Sequence, residues 1–171
     1  MRFKKYLFSI VLLLSLSIGI TPIAPALAVT IEFSWSGNNG YTARGSFRYD
    51  EKTAPALIHE EGAGRTKVIE KLEISFLDPR GKEIARYDNV FGGVSDANYF
   101  RFNFDTRTGE IFGSIDLGGE SAGETYLKGI VKENLALFHV GEDDVTIDED
   151  RSPEIVTRPL LGSSSSDRHG G

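Results

Sequence analysis

From residue 29 onward, apolar and polar residues alternate in short runs, with glycine, proline and asparagine between them. The period is two, so successive side chains fall on opposite faces of an extended chain. No long segment carries the three-and-four spacing of an amphipathic helix. The runs predict strands over 29–37, 41–50, 67–77, 82–87, 98–105, 110–117, 125–131 and 135–140, with a short one at 145–147. About eight to nine strands at this spacing predict an all-β fold, a single antiparallel β-sandwich or jelly-roll-like barrel over residues 29–160.

Parity fixes the expected registers. Ile31, Phe33 and Trp35 share a face, as do Ala43, Gly45, Phe47 and Tyr49. A three-residue loop, Asn38-Asn39-Gly40, sets Trp35 opposite Ala43, Phe33 opposite Gly45 and Ile31 opposite Phe47, with Gly40 in the left-handed conformation. Phe76 and Ile84 share a face if Pro79-Arg80-Gly81 is the loop; a two-residue Pro79-Arg80 turn is the alternative. For YFRFNFDTRTGEIFGSIDL, residues 99–117, a four-residue loop over 106–109 pairs Asp105 with Glu110 and Phe104 with Ile111. Continued without a break, that register sets Phe102 opposite Gly113, Phe100 opposite Ile115, Tyr99 opposite Asp116, Arg101 opposite Ser114 and Asn103 opposite Phe112. Turn chemistry then accounts for FDTRTGE: Asp105 accepts from loop amides and Gly109 takes positive φ. A calcium loop would need further acidic or amide side chains at alternate positions. Residues 50–66 (DEKTAPALIHEEGAGRT) form the longest irregular stretch, with a short strand or helical turn around 56–59.

The beginning of the chain breaks the pattern. Arg2, Lys4 and Lys5 precede a mostly apolar run over 6–20, and Ala26-Leu27-Ala28 supplies the small-x-small site of a secretory signal peptide. A membrane anchor is the alternative, but the run is shorter than the roughly 20 residues a span requires. Residues 1–28 are therefore read as a signal-peptide helix, cleaved after Ala28, and the chain as secreted or periplasmic with no stable membrane span afterwards. Residues 161–171, ending in GSSSSDRHGG, are expected to be a disordered tail.

The chain has 19 basic and 25 acidic residues. Removing Arg2, Lys4 and Lys5 with the leader leaves 16 against 25, a balance of −9 over 143 residues. That charge repels phosphate backbones and argues against a nucleic-acid partner. It also argues against simple electrostatic attachment to anionic lipid. With no cysteine, thiol catalysis, disulfides, zinc-thiolate sites and iron–sulfur clusters are excluded.

Candidate chemistry is sparse. Glu142, Asp143, Asp144, Asp148, Glu149 and Asp150 form an acidic cluster, read either as a solvated loop or as a calcium site. His59 lies beside Glu60 and Glu61, His139 ends a strand and His169 falls in the tail, with no metal-binding spacing among them. No G-x-S-x-G elbow occurs, and no carboxylate pair for glycoside hydrolysis is marked. No catalytic, cofactor-binding or metal residue is assigned, and no cofactor is expected. Tyr99, Arg101 and Asn103 share a polar face, and Glu110, Phe112, Ser114 and Asp116 share the corresponding one. Together they form a strip suited to a sugar, unless a second sheet or a loop covers it. Trp35, between Phe33 and Ile31 on its face, belongs to the core.

The phrases GYTARGSFRYD, FDTRTGEIFGSIDLGG and ETYLKGIVKENLALF resemble those of exported bacterial all-β domains of unknown function found ahead of PEP-CTERM sorting signals. The likeness covers roughly residues 40–140. It implies an exported β domain and no catalytic residues. This chain has no Pro-Glu-Pro motif followed by an apolar helix and a basic end, so such anchoring is not expected. Three functions follow in order. The first is a non-enzymatic binding or structural module for a glycan or envelope polymer. The second is a calcium-dependent adhesion or matrix module using 142–150. The third is a small secreted hydrolase with an unmarked carboxylate pair.

Overall fold

The computed structural model describes residues 28–160; the expected leader helix and the expected tail fall almost wholly outside them. Strands in chain order begin with β1 (Ala28–Ser36), β2 (Thr42–Asp50), β3 (Leu57–Glu61), β4 (Gly64–Arg65) and β5 (Lys71–Leu77). There follow β6 (Glu83–Phe91), β7 (Val94–Ser95), β8 (Arg101–Asp105), β9 (Glu110–Ile111) and β10 (Ser114–Gly118). The last four are β11 (Thr125–Ile130), β12 (Asn134–His139), β13 (Val145–Asp150) and β14 (Val156–Pro159). The described residues thus contain 14 strands, more than the eight or nine expected. The brief strands β4 and β7 are too short to show a period, β9 and β10 divide the run expected over 110–117, and no strand is expected over 156–159.

The strands form two antiparallel sheets of seven. The first has the order β14-β1-β2-β5-β6-β7-β4. The second runs β13-β12-β11-β10-β8-β3, with β9 beside β8. Neither sheet closes into a barrel; the arrangement is sandwich-like. After β2 the chain crosses to lay β3 on one edge of the second sheet and returns as β4 on an edge of the first. After β13 it crosses back and pairs β14 with β1.

The core lies between the inner faces. Phe33, Trp35, Phe47, Ile74 and Phe76 of the first sheet meet Phe102, Phe104, Ile115, Leu117 and Leu137 of the second, all buried. Phe47 touches both Phe102 and Phe104 edge-on, with ring centroids 4.8 Å apart in each case, a geometry that the ring quadrupoles favour. Trp35 is buried as expected, although its Nε1–H has no hydrogen-bond partner.

The first hairpin follows the expected register in full: Trp35–Ala43, Phe33–Gly45 and Ile31–Phe47. Gly40 has φ +87°. Gly45 is required for another reason. A Cβ there would lie 2.3 Å from the Phe33 ring and 2.5 Å from the Glu73 carbonyl oxygen, so the ring occupies the space a side chain would fill.

Two registers depart from expectation. Pro79-Arg80-Gly81 is the loop, closed by Asp78 N–H donating to the Lys82 carbonyl at 2.9 Å. A bulge between Phe76 and Leu77 then sets Phe76 opposite Ala85 and leaves Ile84 exposed. In the 99–117 segment the loop and its first two pairs are as expected. Beyond them the ladder breaks at Gly113, which has φ +63°, and resumes with Asp116 opposite Arg101. The slip is two residues, not one, so every side chain keeps its face while its partner changes. The Asn103 side-chain amide fills the break by donating to the Ser114 carbonyl at 2.6 Å.

Candidate functional site

The outer face of the second sheet carries a row of charges across its strands. Glu61 on β3 faces Arg101 on β8, Arg101 faces Asp116 on β10, and Asp116 faces Lys128 on β11. The signs alternate. Lys128 Nζ lies 2.9 Å from the Asp116 carboxylate, whereas Arg101 stands 3.7 Å from Glu61. Burial pushes the Asp116 carboxyl above its usual range, with the Lys128 ammonium working in the opposite direction.

Tyr99 stands at one end of this row and is 70% exposed. Its ring centroid is 6.0 Å from Lys128 Nζ, at the outer limit of a cation–π contact. Its place is set by Glu120, whose carboxylate accepts from the backbone N–H of both Asn98 and Tyr99. Glu120 is in turn held through its own N–H, which donates to Glu124 at 2.9 Å. Tyr99 thus lies just before β8 rather than within the strand expected over 98–105.

Two hollows share Tyr99, Asp116 and Lys128. One of about 460 Å3 extends over Glu61, Asn98, Arg101 and Ser114. The other, of about 270 Å3, extends over Glu120, Tyr126 and Asp144. Tyr126 donates its hydroxyl proton to Asp144 at 2.6 Å and stacks on Phe138 with centroids 5.0 Å apart. Burial, and next the hydrogen bond to Asp144, raise the Tyr126 phenol above its usual value.

On the other side of the charged row, His59 Nδ1 is 2.8 Å from Asn103 Oδ1, and its ring meets Phe112 edge-on at 5.5 Å. The structure therefore brings together Tyr99, Arg101, Asn103, Phe112, Ser114 and Asp116 of the expected strip, in a shifted register. It adds His59, Glu61, Glu120, Tyr126 and Lys128, which pattern alone had not placed there. The second sheet's partner packs against the opposite face, and Tyr99 is left open. Glu110 lies elsewhere, its carboxylate paired with Lys132 at 3.2 Å.

The acidic run is divided by the fold. Asp148 is 1% exposed and accepts from Asn39 N–H at 2.9 Å, Tyr41 N–H at 3.1 Å and Glu149 N–H at 2.8 Å. It fixes the first hairpin's loop. Asp144 accepts a hydrogen bond from the Tyr126 hydroxyl, and Asp150 accepts one from Ser152 N–H at 3.1 Å. Among the described residues no three His, Asp or Glu side chains converge as a metal site would require. Glu60, beside His59 in the stretch read as irregular, is likewise buried. It accepts from the N–H groups of Lys67, Val68 and Ile69 at 2.9, 2.7 and 3.1 Å. His139 sits exposed at the end of β12; His169 lies outside the described residues. Asp105 accepts from Arg107 N–H at 2.9 Å, and the Arg107 guanidinium holds its carboxyl down at about 2, so FDTRTGE is the turn its chemistry implied.

No family model, curated protein or solved structure matches this chain.

Proposed function

We propose that this chain is an exported, non-enzymatic binding module whose outer second-sheet face takes a glycan or envelope polymer. The observation that carries the reading is the open Tyr99 ring beside the alternating row Glu61, Arg101, Asp116 and Lys128. Sugar rings present apolar faces edged by hydroxyls, and such a ligand needs an aromatic plate next to fixed donors and acceptors. The basic, apolar and small-residue order of residues 1–28 supports export, as does the resemblance to exported bacterial all-β domains.

The test is a glycan-array screen of residues 29–171 with and without calcium, followed by Tyr99→Ala on any ligand found. Binding that survives the substitution unchanged removes the proposed site. A melting temperature that rises with calcium would instead favour the adhesion module.

A second reading rests on the raised Asp116 carboxyl in a hollow shared with Glu120 and Asp144: a hydrolase with Asp116 as proton donor. The 2.9 Å pairing with Lys128 opposes it, because an ammonium at that distance favours the ionised form. Release of reducing ends from a bound glycan, abolished by Asp116→Asn, would establish it over simple binding.

A further inference from the structure

β6 and β7 are joined by Gly92-Gly93, with φ +59° and +75°, the primed geometry of a tight hairpin. Phe91 and Val94 pair across this turn. Phe91 is 73% exposed, and Val94 is exposed beside it. The glycines specify the turn, so folding does not require an aromatic ring at its rim. Each apolar residue has a cation as its other cross-strand neighbour: Lys71 opposite Phe91 and Arg65 opposite Val94. Behind the turn is a hollow of about 560 Å3, walled by both glycines and by Arg48, Arg65 and Lys67. Asp50 and Glu70 also line it, but Glu70 is engaged by Arg48 at 3.0 Å. Lys71 is engaged by Glu73 at 2.8 Å, so among the described residues Arg65 and Lys67 are the cations beside the tip without an acid partner, in a chain of net charge −6.

The geometry points to a bilayer-docking tip: Phe91 and Val94 enter the headgroup boundary of an anionic membrane while Arg65 and Lys67 meet its phosphates. Neither signal suffices alone. A short apolar tip partitions weakly, and a small basic patch is screened within a Debye length. Combined, they reinforce each other, each cation near the surface adding to the apolar insertion. The acidic remainder of the molecule is repelled, so the docked orientation is unique and short-ranged. A soluble polyanion would satisfy the cations but make no use of Phe91, and this favours a bilayer over a charged polymer. The tip belongs to the first sheet and shares no residue with the Tyr99 strip, so the inference stands apart from the glycan reading.

The absence of cysteine permits a site-resolved test on the full chain. Val94→Cys carries a single environment-sensitive fluorophore, and Thr146→Cys on β13 of the other sheet carries the control. Both are titrated with vesicles of phosphatidylcholine containing roughly a third phosphatidylglycerol, and with phosphatidylcholine alone. The expected result is a blue shift, and quenching by nitroxide-labelled lipid, at position 94 and not at 146, only with the anionic vesicles and reversed by high salt. Phe91→Ser or Arg65→Glu in the same background weakens the response about tenfold. A response at 146 alone, at neither position, or equally with neutral vesicles overturns the proposal. Binding through residues 1–28 with both labels left in water overturns it too, as does capture by heparin with no response to vesicles.

Discussion

The outer faces of the two sheets are built from the same backbone pattern but used in opposite ways. On the first sheet, charged side chains satisfy one another. Glu73 is a hub that accepts from Lys71 at 2.8 Å, Arg86 at 3.0 Å and Ser46 at 3.1 Å, and Arg48 pairs with Glu70 at 3.0 Å. On the second sheet, ions alternate with rings. Tyr99 is left open, Tyr126 lies flat on Phe138, and Arg101 is held only loosely by Glu61. A face whose charges are already saturated has little to offer a ligand beyond solubility. A face with an unpartnered ring and half-engaged ions retains interaction energy for a partner. The proposed glycan site accordingly lies on the second sheet, and on the first only the β6–β7 tip, beside Arg65 and Lys67, is left for a partner.

The largest effect should come from the layer both faces share. Phe102 contacts Phe47 at 4.8 Å and Phe33 at 6.4 Å, and its truncation in Phe102→Ala is expected to cost about 3–5 kcal/mol. Urea unfolding followed by Trp35 fluorescence and by far-ultraviolet dichroism should show one earlier, coincident transition. Two separated transitions would mean that the sheets are independent and that their faces cannot be contrasted within one fold. Next comes Asp148→Ala, which strands the Asn39 and Tyr41 N–H groups at the end of the first sheet. A loss of about 2–3 kcal/mol is expected for donors left without a partner, read in the same unfolding experiment. Tyr99→Ala should do the reverse. Stability should stay within about 0.5 kcal/mol of the parent, while affinity for an array-identified glycan falls by about tenfold or more. Equal stability losses in Tyr99→Ala and Asp148→Ala would make Tyr99 a structural residue and end the contrast.

How far this was legible beforehand depends on the kind of information each feature carries. The β1–β2 register could be read because one short loop and two unbroken alternating runs determine it. The pairing of Arg101 with Asp116 could not, because it depends on a break at Gly113, and a glycine within a strand signals either close approach or a bulge without saying which. Parity survived the slip, so the phenylalanine face was identified correctly and the polar residues other than Glu110 share the outer face, although their cross-strand partners differ. Alternation also marked the outer residues of β8 and β10. It could not place His59 or Glu61, since β3 joins the second sheet only through a crossover between layers. Asp148 looked like a member of a solvated acidic loop, and Glu60 like part of an irregular stretch. Their roles come from the backbone amides of distant loops, and composition has no access to those. A signal did exist for β3: Leu57, Ile58, His59 and Glu60 permit a short strand, and it was read as one of two options.

The finest test sets one acid from each face against the other through pH. Hydrogen bonding from Lys71, together with contacts from Arg86 and Ser46, holds the Glu73 carboxyl below its ordinary value of 4.5. A depressed value means that the folded state favours the charged form. Its stabilisation is present above the ordinary value and is lost as pH falls through the folded one. Asp116 is displaced the other way, above its ordinary value of 3.8, chiefly by burial. There the charged form is the costly one. Its penalty is complete at neutral pH and disappears as pH falls through the raised value toward the ordinary one. Glu73→Gln should therefore destabilise at neutral pH, by less than about 1 kcal/mol for a partly solvated network, with the deficit closing in acid. Asp116→Asn should be neutral to slightly stabilising at neutral pH, with the gain closing in acid. Melting temperatures of the parent and both variants, taken between about pH 7 and pH 3, should give difference curves of opposite sign that converge at the acid end. Curves of the same sign would show that Asp116 serves the sheet as Glu73 does, and that its pairing with Lys128 is architecture rather than part of a surface kept for a ligand.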